Sequence, residues 1–268
     1  MIVTYCTENY YRWAPLFLRS WKSVHGDSEK ICVNGCNLDK TQITELKTLY
    51  SNLIVDNEKM DFKELCKKLN ITLTEFEKCR IDVAEGFKAS GGNSSHLMNF
   101  FADDHRIKRL YKTIVENPGE EYFWHFDVDV IFRGQIVPPD PDFAGKIQDV
   151  EEDCRKMPIT VLFLRNVPAV VKMVKDWCDL IDSVPLESRE ITNPNKKAWG
   201  QYTFYHAYLK NKDNLSTIKL PLSYTDSSWL ADSQIWSANK RLSANFQPVG
   251  CYGNKTNTHR FFENEVNK

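Results

Sequence analysis

The sequence predicts an α/β fold: a mixed, mostly parallel sheet flanked by helices, in a single domain over 1–268. Three observations carry this. Strand and helix signals alternate from Ile2 to Val55, the pattern of a parallel sheet covered by helices on both faces. A long helical segment then leads into the most strand-like run of the chain, Tyr122 to Phe132. Finally, 268 residues with 42% apolar and 26% charged side chains are the profile of a globular chain that can bury a sizeable core.

Element by element, Ile2 to Cys6 reads as a short strand. Trp13 to Val24 reads as an amphipathic helix, with apolar residues at helical spacing. Ile31 to Val33 is a second strand, ended by a turn at Asn34-Gly35. Thr41 to Tyr50 follows as a helix and Leu53 to Val55 as a third strand. Met60 to Cys79 breaks the rhythm. Phe62, Leu65 and Leu69, then Leu73 and Phe76, predict two short helices split at Asn70-Ile71-Thr72, a helical insertion at 60–80. Ser90 to Ser95 reads as a loop and His96 to Val115 as a long helix that Asn117-Pro118-Gly119 stops. Beyond the run at Tyr122, Ile159 to Leu164 is a strand. Val167 to Ile181 is a helix with Pro168 in its first turn, and Trp199 to Leu209 is a further helix. The tail after Pro221 reads mostly as loop.

Charge and cysteine usage narrow the function. A net charge of −1 gives no nucleic-acid footprint. No segment has the roughly 20 apolar residues of a membrane span. The eight cysteines are irregularly spaced and form no CxxC pair, which argues against zinc. They read as reduced, buried thiols of a cytoplasmic protein.

The chemistry is concentrated in Tyr122-Phe123-Trp124-His125-Phe126-Asp127-Val128-Asp129-Val130-Ile131-Phe132. Two carboxylates interrupt an apolar strand, and side chains two apart on a strand share a face. Such a pair repels itself and is expensive to bury alone. A hard divalent cation, Mn2+ or Mg2+, resolves this, because it prefers carboxylate oxygens and can also grip a diphosphate. Asp140-Pro141-Asp142 has the same spacing, but prolines surround it and no strand leads in. His125 shares the face and reads as a hydrogen-bonded core histidine rather than a ligand.

With these residues, the chain resembles the GT-A-fold glycosyltransferases, the nucleotide-diphospho-sugar transferases with a DxD motif. Asp127-Val128-Asp129 matches that motif, and the family's second Asp usually binds the metal directly. Ile2 to Tyr10 looks like the family's opening strand and nucleotide-binding turn, which implies donor contacts from Tyr5, Cys6, Thr7 and Asn9. Arg106, with Arg109 as a fallback, matches the basic residue that reaches the donor from the helix before the DxD strand. Relatives carry an Asp-Gln or Asp-Glu pair at a helix start, where this chain has Gly200-Gln201. They also carry a His-x-Asn element, where this chain has Ser237-Ala238-Asn239. A third metal ligand is then left to Asn239, His259, water or donor phosphate.

The resemblance implies an enzyme of the hexosyltransferase class, with a nucleotide sugar as donor and a glycan, lipid-linked or other hydroxyl as acceptor. Gln201 leans toward retention at the anomeric carbon. Asp232 or Asp226 would be the base of an inverting alternative. A haloacid-dehalogenase-type phosphatase also places Asp-x-Asp after a strand, but that family wants Thr or Val where Ile131 sits. A sugar-phosphate nucleotidyltransferase would need a Gly-rich loop after the first strand, and Cys6 to Arg12 contains no Gly. A degenerate transferase that only binds the nucleotide sugar is the non-enzymatic reading, motivated by Gly200 and Ser237.

Overall fold

The computed structural model describes residues 1–76, 93–151, 153–184, 199–224, 230–238 and 255–267. β1 (Ile2–Thr7), β2 (Ile31–Cys36) and β3 (Leu53–Glu58) alternate with α1 (Trp13–His25) and α2 (Lys40–Leu49). Next come α3 (Phe62–Leu69), α4 (Asn93–Glu116), β4 (Tyr122–Asp127), β5 (Val130–Phe132), β6 (Phe143–Gly145) and β7 (Val161–Arg165). The chain continues through α5 (Pro168–Asp182), α6 (Trp199–Asn211), β8 (Thr217–Lys219), β9 (Ile235–Ser237) and α7 (Lys255–Val266).

Seven strands form one sheet in the order β3-β2-β1-β4-β7-β6-β8. The first four positions are mutually parallel, β7 runs against both neighbours, and β6 and β8 are parallel. β5 and β9 pair separately as an antiparallel ribbon. This is the mixed, mostly parallel sheet that the sequence predicts. Alternation along the strands feeds two cores. Ile2, Cys6, Ile31, Val33, Trp124 and Phe126 pack with Leu16, Phe17 and Trp21 of α1. Val3, Phe123, Leu162 and Leu164 pack on the other face with Ile107, Leu110 and Ile114 of α4 and with α5 and α6.

Several boundaries differ from expectation. Asn34-Gly35 is not a turn but part of β2, because Nδ2 of Asn34 donates to Oγ1 of Thr113 at 3.0 Å inside the protein. Gly35 admits the neighbouring strand's side chain: a Cβ there would lie 2.8 Å from Oδ1 of Asn57. The chain turns instead at Asn37, which has φ of 60°. Asn93, Ser94 and Ser95 open α4 rather than a loop. The expected insertion is helical where it is described: α3 ends at a left-handed Asn70 and a second helical stretch begins at Leu73. The tail is not mostly loop, since β9 and α7 lie within it; Phe262 of α7 is fully buried against Trp13. Asp142 of the Asp140-Pro141-Asp142 triplet accepts hydrogen bonds from Ser216, a structural role.

Candidate active site

β1 is flanked on one side by β2 and β3 and on the other by β4, so the strand order reverses at β1. The crevice at the carboxyl ends of β1 and β4 is therefore the switch point where open α/β sheets bind ligands. Register makes this crevice polar. Asp56, Asn34, Tyr5 and Asp127 are mutual partners in one row across β3, β2, β1 and β4. Each meets a side chain of α4. Arg109 donates to the Asp56 carbonyl oxygen, Thr113 pairs with Asn34, His105 with the Tyr5 hydroxyl at 2.8 Å, and Arg106 with Asp127 at 2.7 Å. Asp56, Asn34 and Tyr5 each lie three places after the start of their strands at Leu53, Ile31 and Ile2, and Asp127 ends β4, which starts at Tyr122.

The aspartates of the DxD motif do not sit on one continuous strand. Asp127 ends β4, Val128 and Asp129 form a turn, and β5 leaves into the separate ribbon. The expectation of a single strand to Phe132 is corrected here. The shared face by alternation goes with it; a tight turn keeps the two aspartates close in the chain instead. Asp129 is nearly inaccessible and its carbonyl accepts from the Ala238 amide at 2.9 Å. Val128 packs into the core. Ser237 lies opposite Val130 in the ribbon, so the segment read as a His-x-Asn equivalent does reach the DxD turn. Asn239 itself, like Asp226, lies outside the described residues.

Of the two arginine candidates, Arg106 is the one that pairs with Asp127. Its guanidinium and the Asp127 carboxylate are both mostly shielded from solvent. Arg109 is turned away, to Asp56 and to Glu58 at 3.1 Å. His105 bridges Tyr5 and Glu58, and burial lowers its pKa against the pull of Glu58. His125 is buried as expected, yet its Nδ1 has no hydrogen-bond partner, contrary to the hydrogen-bonded role. Burial, reinforced by Arg106, lowers its pKa to about 3, so the ring is neutral.

The nucleotide-turn candidates divide. Thr7 precedes a short 3-10 turn, Glu8–Tyr10, that carries Asn9. Nδ2 of Asn9 is buried with no partner, a donor left over in a place where native structures rarely leave one. The Tyr5 hydroxyl is held by His105. The Cys6 side chain is a correction: it is fully buried on the α1 face and its thiol donates to the Thr7 carbonyl, so it offers a ligand only backbone.

The remaining candidates follow from helix placement. Trp177 of α5 donates to the Gly200 carbonyl at 2.9 Å, and Cys178 and Asp182 of the same helix meet Ile107 and Lys108 of α4. Gln201 lies in the first turn of α6, a helix that also packs against α4. Asp232 is exposed and precedes β9, whose opposite end meets the DxD turn, so a base role beside Asp127 is not supported. His259 is also corrected. Its Nε2 donates to the Arg12 carbonyl and its ring packs edge-on against Trp13. Among the described residues no three His, Cys, Asp or Glu side chains gather as a metal cluster, so His259 does not join Asp127 and Asp129. The two aspartates are nonetheless oxygen donors of the kind Mn2+ and Mg2+ take, so they fit such an ion in kind.

No family model and no curated protein sequence matches the chain. Solved structures do. The galactosyltransferase LgtC in complex with donor and acceptor sugar analogues superposes with a TM-score of 0.50 at 10% identity, covering 99% of this chain and 95% of that one. The fold is that of the GT-A glycosyltransferases. An active-site mutant of LgtC, with glutamate in place of a glutamine, matches at a TM-score of 0.50 and 9% identity, covering 98% of this chain and 95% of that one. The glycosyltransferase GlyE of Streptococcus pneumoniae TIGR4 gives 0.48 at 9% identity, covering 99% of this chain and 64% of that one. No helix among the described residues is long and apolar enough to cross a membrane.

Proposed function

We propose that this chain transfers a sugar from a nucleotide-diphosphate donor to a hydroxyl acceptor, at the crevice between β1 and β4. The observation that carries the reading is the Arg106–Asp127 pair at the switch point of a GT-A fold, beside the leftover donor of Asn9. Asn9 offers its amide to an acceptor on the base or ribose, and the backbone of Cys6 and Thr7 lines the same turn. Arg106 offers a planar, two-pronged donor that suits a phosphate. Asp127 and Asp129 would hold Mn2+ or Mg2+, with water and donor phosphate oxygens completing the set in place of a third protein ligand. Held there, such an ion would supply charge neutralisation at the departing diphosphate. Gln201 would lie on the sugar side, where an amide oxygen can steady developing positive charge. LgtC has an active-site glutamine by the description of its mutant, which favours the same part for Gln201.

The test is a thermal-shift panel of nucleotide sugars with and without Mn2+, because a ligand of the native state raises the melting temperature with its concentration. A shift that needs both partners in wild type, and is absent in Asp129→Ala, is the expected result. No shift with any nucleotide sugar, or an unchanged metal-dependent shift in Asp129→Ala, rejects the reading.

A further inference from the structure

We propose that Arg106 is an exchangeable counter-ion for the DxD turn: it neutralises Asp127 in the free protein and releases it when a diphosphate arrives. The inference rests on the donor-binding reading above and specifies its order of events. Nη1 of Arg106 donates to Oδ1 of Asp127 at 2.7 Å, and both side chains are largely shielded from water. The pair is held in place rather than met by chance. Arg106 lies on the same helix as His105, Arg109 and Thr113, which are fixed to β1, β3 and β2 by the polar row.

That geometry sets two cationic demands on one carboxylate. A divalent ion approaching Asp127 alone meets the guanidinium that already occupies it, and two cations sharing one carboxylate repel. A diphosphate removes the conflict. Its oxygens give the guanidinium a two-pronged partner and give the ion further anionic ligands. Metal and donor then bind as a coupled pair, and the coupling is reciprocal by linkage.

The measurement is Mn2+ binding with no nucleotide present, read from the electron paramagnetic resonance signal of free Mn2+ and checked by calorimetry. Wild type, Arg106→Gln, Arg106→Lys and Asp127→Asn are compared, after circular dichroism confirms that each is folded. Arg106→Gln is expected to bind Mn2+ alone at least about tenfold more tightly than wild type, a difference of about 1.4 kcal/mol. Arg106→Lys keeps the charge and should stay near wild type for the metal, while losing affinity for pyrophosphate and nucleoside diphosphates. Asp127→Asn should abolish the gain when combined with Arg106→Gln. Unchanged or weaker metal binding by Arg106→Gln, with nucleoside diphosphate still bound by wild type, overturns the counter-ion role and leaves the transferase reading intact. Failure of wild type to bind Mn2+ and any nucleoside diphosphate together overturns both.

Discussion

Asn9 and Asp176 illustrate opposite fates of a polar side chain inside this protein. Asn9 is shielded but has an amide nitrogen without a partner, so a ligand that accepts from it gains a hydrogen bond the free protein lacks. Asn9→Ala should therefore weaken nucleotide binding by about 1–3 kcal/mol while leaving stability nearly unchanged. Calorimetric titration beside a urea melt reads both quantities, and wild-type affinity would mean that the base lies elsewhere. Asp176 is the reverse case. Burial raises its pKa, but hydrogen bonds from Lys172, Lys210 and Asn211 outweigh that and hold the carboxyl well below the usual carboxylate range. A carboxylate with a depressed folded pKa stabilises above its unfolded value, about 3.9, and that stability fades as the pH falls further. Asp176→Asn should cost about 1–3 kcal/mol near neutral pH, discounted because the lysines are exposed. It should also lose less stability than wild type on acidification below about pH 4. Parallel urea melts across that range check the sign; equal acid losses in both proteins would remove Asp176 from the account. Asp127 and Asp129 stand out in the sequence as two carboxylates in an aromatic run. The sequence could not make Cys6 or His259 legible, since only packing decides that one thiol faces α1 and one imidazole is spent on the Arg12 carbonyl.

At the scale of elements, α4 organises the site through the row of polar residues it meets. Asn34 and Thr113 are both buried; the Asn34 amide donates to the Thr113 hydroxyl oxygen at 3.0 Å, and the one hydroxyl proton is within reach of the Arg109 carbonyl at 2.9 Å and of Asn34 Oδ1 at 3.2 Å. Removing Thr113 strands the Asn34 amide nitrogen, whereas the Thr113 hydroxyl keeps the Arg109 carbonyl at 2.9 Å when Asn34 is removed, and replacing both with apolar groups of similar shape is cheaper than removing Thr113 alone. Thr113→Val should cost about 1–3 kcal/mol, and Thr113→Val with Asn34→Val should recover part of that loss. A double-mutant cycle from denaturant midpoints measures the coupling, and purely additive costs would show that the pair does not act as a unit. The strands and helices before α3 were legible because their apolar periods are long or flanked by turns. Boundaries failed where tertiary contacts overrode local preference. Asn34-Gly35 has the composition of a turn, but Thr113 and Asn57 hold it in a strand. α7 was missed because its one fully buried apolar side chain, Phe262, sits among polar neighbours and takes its meaning from Trp13.

At the scale of the whole molecule, the architecture bears on the stereochemistry of the proposed transfer. The fold class was legible because alternation, length and a carboxylate pair at a strand end all pointed one way. The catalytic side was less so, because it is assembled from segments far apart in sequence. The DxD turn is flanked by the Arg106 stretch of α4 and by the Ser237 end of the ribbon. An inverting transferase needs a carboxylate base beside the acceptor hydroxyl. Asp232 is exposed and precedes the end of β9 remote from that turn. Gln201 lies in the first turn of α6, whose Gly200 carbonyl accepts from Trp177 on the helix that packs against α4. An amide is too weak a base to take a hydroxyl proton, but its oxygen can support positive charge at the anomeric carbon. Attack from the leaving-group side, with the diphosphate receiving the proton, then preserves the anomeric configuration. We predict a retained product, with Gln201→Ala lowering kcat by at least about tenfold and Asp232→Asn leaving it within about twofold. Proton NMR of the first-formed glycoside, compared with the donor, decides the configuration. An inverted product whose formation collapses in Asp232→Asn, yet survives Gln201→Ala, would mean that the acceptor is activated from the ribbon side and that Gln201 does not face the sugar.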